Sequence, residues 1–259
     1  MRKLKKFIKN MTTLYINRLK IRDTRQLLKQ EFGDITFEFS SFGGADINYL
    51  LLKDKKKFAM LRLAITDKKE EKNDLALLRF NKQKRLAKET QAYKEGGKYN
   101  LTPNLLYAFD DGVVCEYLEG ERGFDTLMED KSKVWDILID VIQVYNHLHH
   151  LDITHLDATL KNFILDNGQM KVIDFEYYPS ENLTLEVQKA YDYIRIIEHT
   201  LRIIPLKYQK NYDSFIDVLD GIITEELREV DFTMVERWLK NIENYPIYPT
   251  LKRRIFINL

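Results

Sequence analysis

Residues 154–178 read THLDATLKNFILDNGQMKVIDFEYY. Two short apolar runs, NFIL and MKVID, flank Asp166-Asn167-Gly168, a turn signal that predicts a tight hairpin. Asp157 and Asn162 lead into the first strand, and Asp174 leaves the second. A hairpin brings its two outer ends back to the same place, so three oxygen-bearing side chains converge on one edge of a small sheet. Moving a phosphoryl group asks for that chemistry: a carboxylate and an amide oxygen for a divalent metal, and a carboxylate beside the attacking hydroxyl. The plainer reading is two buried strands joined by a polar turn, and it is the surroundings that separate the two.

The chain has 259 residues, 44% hydrophobic and 31% charged, the balance of a globular protein long enough to bury a sizeable core. Its single cysteine, Cys115, excludes an internal disulfide framework and fits a reducing compartment. No run is long and apolar enough to span a bilayer, and MRKLKKFIKN leads into no signal-peptide core. A cytoplasmic location is the resulting expectation.

Lys+Arg 41 against Asp+Glu 40 hides an asymmetry: residues 1–30 hold ten basic residues and one acid, Asp23. Leu4, Phe7, Ile8, Met11, Leu14 and Tyr15 fall at helical spacing there, giving a narrow apolar stripe on a cationic helix. Such a helix either lies on an anionic membrane or packs its stripe on the main body.

From Ile35 the pattern is β. ITFEFSSF, NYLLLKD and KKFAMLRLAI read as three strands, with FGGADI as a glycine turn between the first two. A polar helix is predicted over 73–95, stopped by Gly96-Gly97, and LTPNLLYAFDDGVVCEYLEG reads as a hairpin about Asp111-Gly112. Beyond Gly120 helices are predicted in KVWDILIDVIQVYNHLHHL and over 187–204, 212–227 and 232–244. His147, His149 and His150 read as solvated or dipole-complementing groups at a helix end, and Cys115 as a buried, inert thiol.

Placed after this β-rich half, HLDATLKN resembles the catalytic loop of protein-kinase-like folds, His-x-Asp-x-x-x-x-Asn, and VIDFE resembles their metal-binding Asp-Phe-Gly strand. The likeness extends from about Phe37 to Leu201. It implies an α+β, two-lobed protein-kinase-like fold with a β-rich N-lobe over 31–118, a mostly helical C-lobe over 119–259, and the basic segment 1–30 in front. It also implies roles. FGGADINYLLL is similar to the nucleotide-covering loop, with Gly43 and Gly44. Arg62 of FAMLRLA stands where the family usually has a Lys on the ATP phosphates, as in choline and ethanolamine kinases. Glu89 is then its partner, and Glu116 and Leu118 offer backbone groups to adenine. Asn162 and Asp174 would hold Mg²⁺, Asp157 would be the catalytic base, and His155 would bond a backbone carbonyl.

LEVQKAYDYIRIIEHTL resembles the Lys-x-x-Asp-x-x-x-x-Glu helix of bacterial lipopolysaccharide-core (heptose and Kdo) kinases and of the small tRNA-modification kinase. Lys189, Asp192 and Glu198 match its polar positions, the Glu in a looser register. Glu176 replaces the family's Gly, Leu156 replaces the Arg of regulated protein kinases, and no Ala-Pro-Glu segment follows. These departures point to a constitutively assembled ATP- and Mg²⁺-dependent kinase acting on something small. Lipopolysaccharide biosynthesis at the inner face of the inner membrane leads, with a sugar hydroxyl of the core or a related surface glycan as acceptor. A choline/aminoglycoside-type small-molecule kinase and an atypical protein kinase or effector stand as alternatives. The expected partners are ATP, a glycolipid or small-molecule acceptor, and an anionic membrane touched by residues 1–30; no nucleic acid is expected.

Overall fold

In the computed structural model, residues 10–42, 45–66, 77–78 and 82–259 are described, residues 77–78 through their backbone only. Residues 10–16 are helical and continue into helix α1 (Arg18–Phe32). Strands β1 (Thr36–Phe42), β2 (Asp46–Lys53) and β3 (Lys56–Ala64) follow as an antiparallel meander. After β4 (Leu77–Leu78) comes helix α2 (Lys82–Gly96), then the hairpin β5 (Leu105–Phe109) and β6 (Gly112–Glu116). The five long strands form one sheet in the order β1-β2-β3-β6-β5.

The period-2 alternation of β3 decides which way the site faces. Ala59, Leu61 and Leu63 point up into a core shared with Ile47, Tyr49, Leu51 and Val114, roofed by Leu28 of α1. Met60 and Arg62, at the intervening positions, therefore point down toward the other half of the molecule.

That half is mainly helical. β7 (Glu121–Arg122), α3 (Gly123–Glu129) and α4 (Val134–His150) lead to β8 (Phe163–Asp166) and β9 (Gln169–Val172), and the three strands form a sheet in the order β7-β8-β9. Asn167 and Gly168, with φ of 50° and 79°, make the turn that the Asp-Asn-Gly signal predicts. β10 (Tyr178–Pro179), α5 (Leu185–Leu201), α6 (Asp213–Ile222) and shorter helical turns complete the chain. The large core centres on α4 and α5, with Tyr145, Tyr193, Phe163 and Phe175 almost wholly buried. The molecule is thus α+β, with a β-rich N-terminal lobe and a helical C-terminal lobe.

Some boundaries differ from the sequence reading. α2 begins at Lys82 rather than Asn73, because Leu77–Leu78 form a strand against β10. Part of that predicted helix, 73–76 and 79–81, lies outside the described residues. The predicted 212–227 helix is α6 followed by a short turn at Glu225–Arg228, and the predicted 232–244 helix is broken into the short turns Glu236–Leu239 and Ile242–Asn244. Among the described residues, no helix is long and apolar enough to cross a membrane.

Candidate active site

The loop between α4 and β8 is held from below by α5. Thr154 donates to Gln188 at 2.8 Å, and one turn later Asp192 accepts the amides of His155 and Leu156, both at 2.7 Å. His149 Nε2 lies 3.2 Å from the same carboxylate. Gln188 and Asp192 are four residues apart and so share a helix face. Asp192 is fully buried; its Oδ1 accepts the amide of Leu156, which stands in the left-handed region at φ 68°, and its Oδ2 that of His155. Burial lowers the His149 pKa, with Asp192 opposing. His149 is therefore an internal support, whereas the sequence reading placed it with solvated histidines. Its neighbours His147 and His150 bond carbonyls of their own helix, at 2.7 Å.

The loop is clamped onto the strand that precedes Asp174. His155 donates from Nε2 to Ile173 O at 2.9 Å and accepts the Asp157 amide on Nδ1 at 3.1 Å, which fixes its tautomer. Ile173 N donates to Asn162 O at 2.9 Å. Phe175 is buried between Tyr93 and His155, with ring centroids 6.1 and 4.8 Å away. With Phe175 anchored inward and Asp174 at φ 72°, the Asp174 carboxylate is delivered outward to the cleft.

There it meets the upper lobe. Arg62 is ion-paired with Asp174 and, at 2.9 Å, with Glu89. Burial works against the Arg62 charge, yet Asp174 and Glu89 together raise its pKa well above the ordinary value. Burial pushes the Glu89 carboxyl up, while Arg62 and the Tyr93 hydroxyl pull it back. Tyr93 donates to Glu89 Oε1 at 2.7 Å and accepts the Asp174 amide at 3.3 Å. Glu89 and Tyr93 sit one turn apart on α2, so a single helix face supports both the cation and the start of the Asp-Phe segment.

Asn162, buried, donates its amide nitrogen to Asp157 O at 3.0 Å and lies 3.5 Å from Asp157 Oδ2. That leaves its Oδ1 as the end able to face a cation. Asn162 and Asp174 line the same cleft, of about 370 Å³, together with Met60, Arg62 and Glu116. Among the described residues no three His, Cys, Asp or Glu side chains gather into a metal cage. Two hard oxygen donors completed by phosphate oxygens is the arrangement that suits Mg²⁺ with a nucleotide, so the residues present fit that ion.

The remaining predicted positions fall as follows. Gly43 and Gly44 lie outside the described residues. Just after them, Asp46 is buried and paired with Arg85 at 2.9 Å, so its side chain is structural. At the link between lobes, the Glu116 amide donates to Asn104 O at 2.9 Å and its carboxylate accepts from Asn104 Nδ2 at 2.9 Å. Its amide is therefore already engaged. Leu118, which also lines the cleft, gives neither amide nor carbonyl to another described residue. Cys115 is buried at the cleft floor, and desolvation raises its thiol pKa.

Sequence reasoning passed over two residues. Lys161 is exposed and lines the cleft beside Asn162; its position inside the quoted loop was the available signal. Tyr93 gave none, because its role depends on packing between α2 and Phe175.

A two-lobed α+β chain with this loop, this Asp-Phe turn and this arginine–glutamate pair at its cleft has a kinase-like fold. No protein-family model matches the chain. Among curated proteins, the mitosis inhibitor protein kinase SWE1 of Candida albicans is 26% identical over 164 residues, 57% of this chain. The chain spans only 14% of that protein's length. The likeness is partial and distant, and it supports a general phosphotransferase of kinase-like fold.

Proposed function

We propose that the chain is an ATP- and Mg²⁺-dependent kinase. The observation that carries this is the convergence of Asn162, Asp174 and the Arg62–Glu89 pair on one cleft between the lobes, with Asp157 Oδ2 3.5 Å from Asn162. Adenine lies against the link at Glu116–Leu118, and Arg62 engages the phosphates. Asn162 and Asp174 would hold Mg²⁺, which would supply neutralisation of phosphate charge when bound. Asp157 orients the acceptor hydroxyl; as its oxygen bonds the γ-phosphorus and the bond to ADP breaks, the proton passes to the Asp157 carboxylate. Lys161 reaches the transferring group from the same loop.

For the acceptor we favour a sugar hydroxyl of lipopolysaccharide core or a related glycan precursor. The segment from Asp174 to the start of α5 at Leu185 is short, too short for a phosphorylation-ordered loop, and Leu156 offers no cation to read a phosphate. The match to a protein kinase is the observation that favours a protein hydroxyl instead. Transfer of label from γ-labelled ATP into glycolipid, small-molecule and protein fractions of a cell extract separates them, with Asp157→Ala as the blank. Label in glycolipid is expected. Label confined to protein, or none above the blank, overturns the acceptor or the activity respectively. Asp157→Ala should retain nucleotide binding, whereas Asp174→Ala should lose the Mg²⁺-dependent part; equal affinity in wild type and Asp174→Ala overturns the metal assignment.

A further inference from the structure

The helical N-terminal segment has two faces, and the fold uses one. Leu14, Ile21 and Leu28 pack on the sheet. Met11, Tyr15 and Leu19, spaced one turn apart, stand 52%, 67% and 56% exposed, with Ile16 beside them at 70%. Next to this stripe, between α1 and the outer face of β1 and β2, runs an open groove of about 610 Å³. Its helix wall presents Arg18, Arg22, Arg25 and Lys29, all exposed. Its floor is Phe37, Phe39 and Tyr49, with the Arg25 guanidinium 5.4 and 5.7 Å from the Phe37 and Tyr49 ring centroids. Among the described residues, Asp23 on Arg22 is the only carboxylate paired with these four cations.

We propose that this face docks on an anionic bilayer. Met11, Tyr15, Ile16 and Leu19 enter the acyl boundary, and the four cations engage headgroup phosphates over the groove. Charge complementarity selects this occupant. From the totals of 41 basic and 40 acidic residues, the ten and one in residues 1–30 leave 31 and 39 for the rest. The cationic end is drawn to an anionic surface and the acidic remainder is repelled. A second copy would set cations against cations. A nucleic acid would answer the charge but leave Met11, Ile16 and Leu19 in water, whereas a bilayer buries them.

The test is sedimentation of the full chain with phosphatidylcholine vesicles, with and without phosphatidylglycerol, at low and high salt. It reads binding alone, so failure of the kinase reading leaves it standing. Binding only to the anionic vesicles, and weakened by salt, is expected. Arg18→Glu/Arg22→Glu should weaken it roughly tenfold or more, as should Met11→Asp/Leu19→Asp, with circular dichroism and thermal midpoint unchanged. Binding equal on neutral vesicles, absent from both, or kept by the charge-reversed variant overturns the proposal. So does binding of single-stranded RNA without vesicle binding, or a dimer that Met11→Asp/Leu19→Asp dissolves.

Discussion

Asp192 is fully buried and meets three donors, so its removal strands two backbone amides as well as His149. Orphaned buried donors are costly, and Asp192→Ala should lose roughly 2–5 kcal/mol of stability. Asp192→Asn, which keeps one acceptor, should lose less; urea unfolding of both variants gives the order, and equal midpoints would contradict the anchoring role. Lys161 offers a contrasting case, since it is exposed and, among the described residues, its ammonium meets only the Phe124 ring, 5.0 Å from the centroid. Lys161→Ala should leave the urea midpoint within about 0.5 kcal/mol of wild type. If it meets the transferring group, turnover falls on the order of 10²-fold. Unchanged turnover would confine the lysine to a surface role.

Among the elements, the link between lobes is constrained by a single glycine. A Cβ placed on Gly120 would stand 1.9 Å from the Leu165 carbonyl oxygen of β8, and neither backbone can yield cheaply. Gly120→Ala should therefore destabilise by roughly 1–3 kcal/mol, read from the urea midpoint. Gly168 at the β8–β9 turn needs its residue for a different reason: at φ 79° it has open space around it but a backbone that side chains disfavour. Gly168→Ala should cost less, about 1 kcal/mol. A cost at Gly168 equal to that at Gly120 would show that conformation, rather than close approach, governs the link.

At the scale of the whole molecule, the buried His149 and the half-buried His199 make stability sensitive to acid. Burial, with Arg202, Arg195 and Lys161 adding, lowers the His199 pKa to about 4; burial lowers His149 as well. An unfolded chain protonates both near about 6.5. Between about 6.5 and about 4 the unfolded state thus binds more protons, so stability falls as pH drops through that window. Thermal midpoints measured across it should decline, and His199→Gln should flatten the decline. An unchanged slope in that variant would remove His199 from the account.

The elements were legible because they are written locally. The alternation of KKFAMLRLAI fixes which side chains share a face of β3, and Asp-Asn-Gly fixes the turn that brings Asn162 and Asp174 together. The pairing of Arg62 with Glu89 was implied by the resemblance, but its further contact with Asp174 was not, because 112 residues separate the two in sequence. Likewise, Leu77–Leu78 read as helix because their strand partner lies about a hundred residues on, at β10. His149 read as solvated because nothing near it in sequence announces Asp192. By itself the sequence determined the strands, the main helices and the ends of the hairpin where oxygen donors gather, since periodicity and turn chemistry act over a few residues. Only the tertiary structure decided which charges face each other across the cleft and which polar groups are buried, because those depend on packing between segments far apart in the chain.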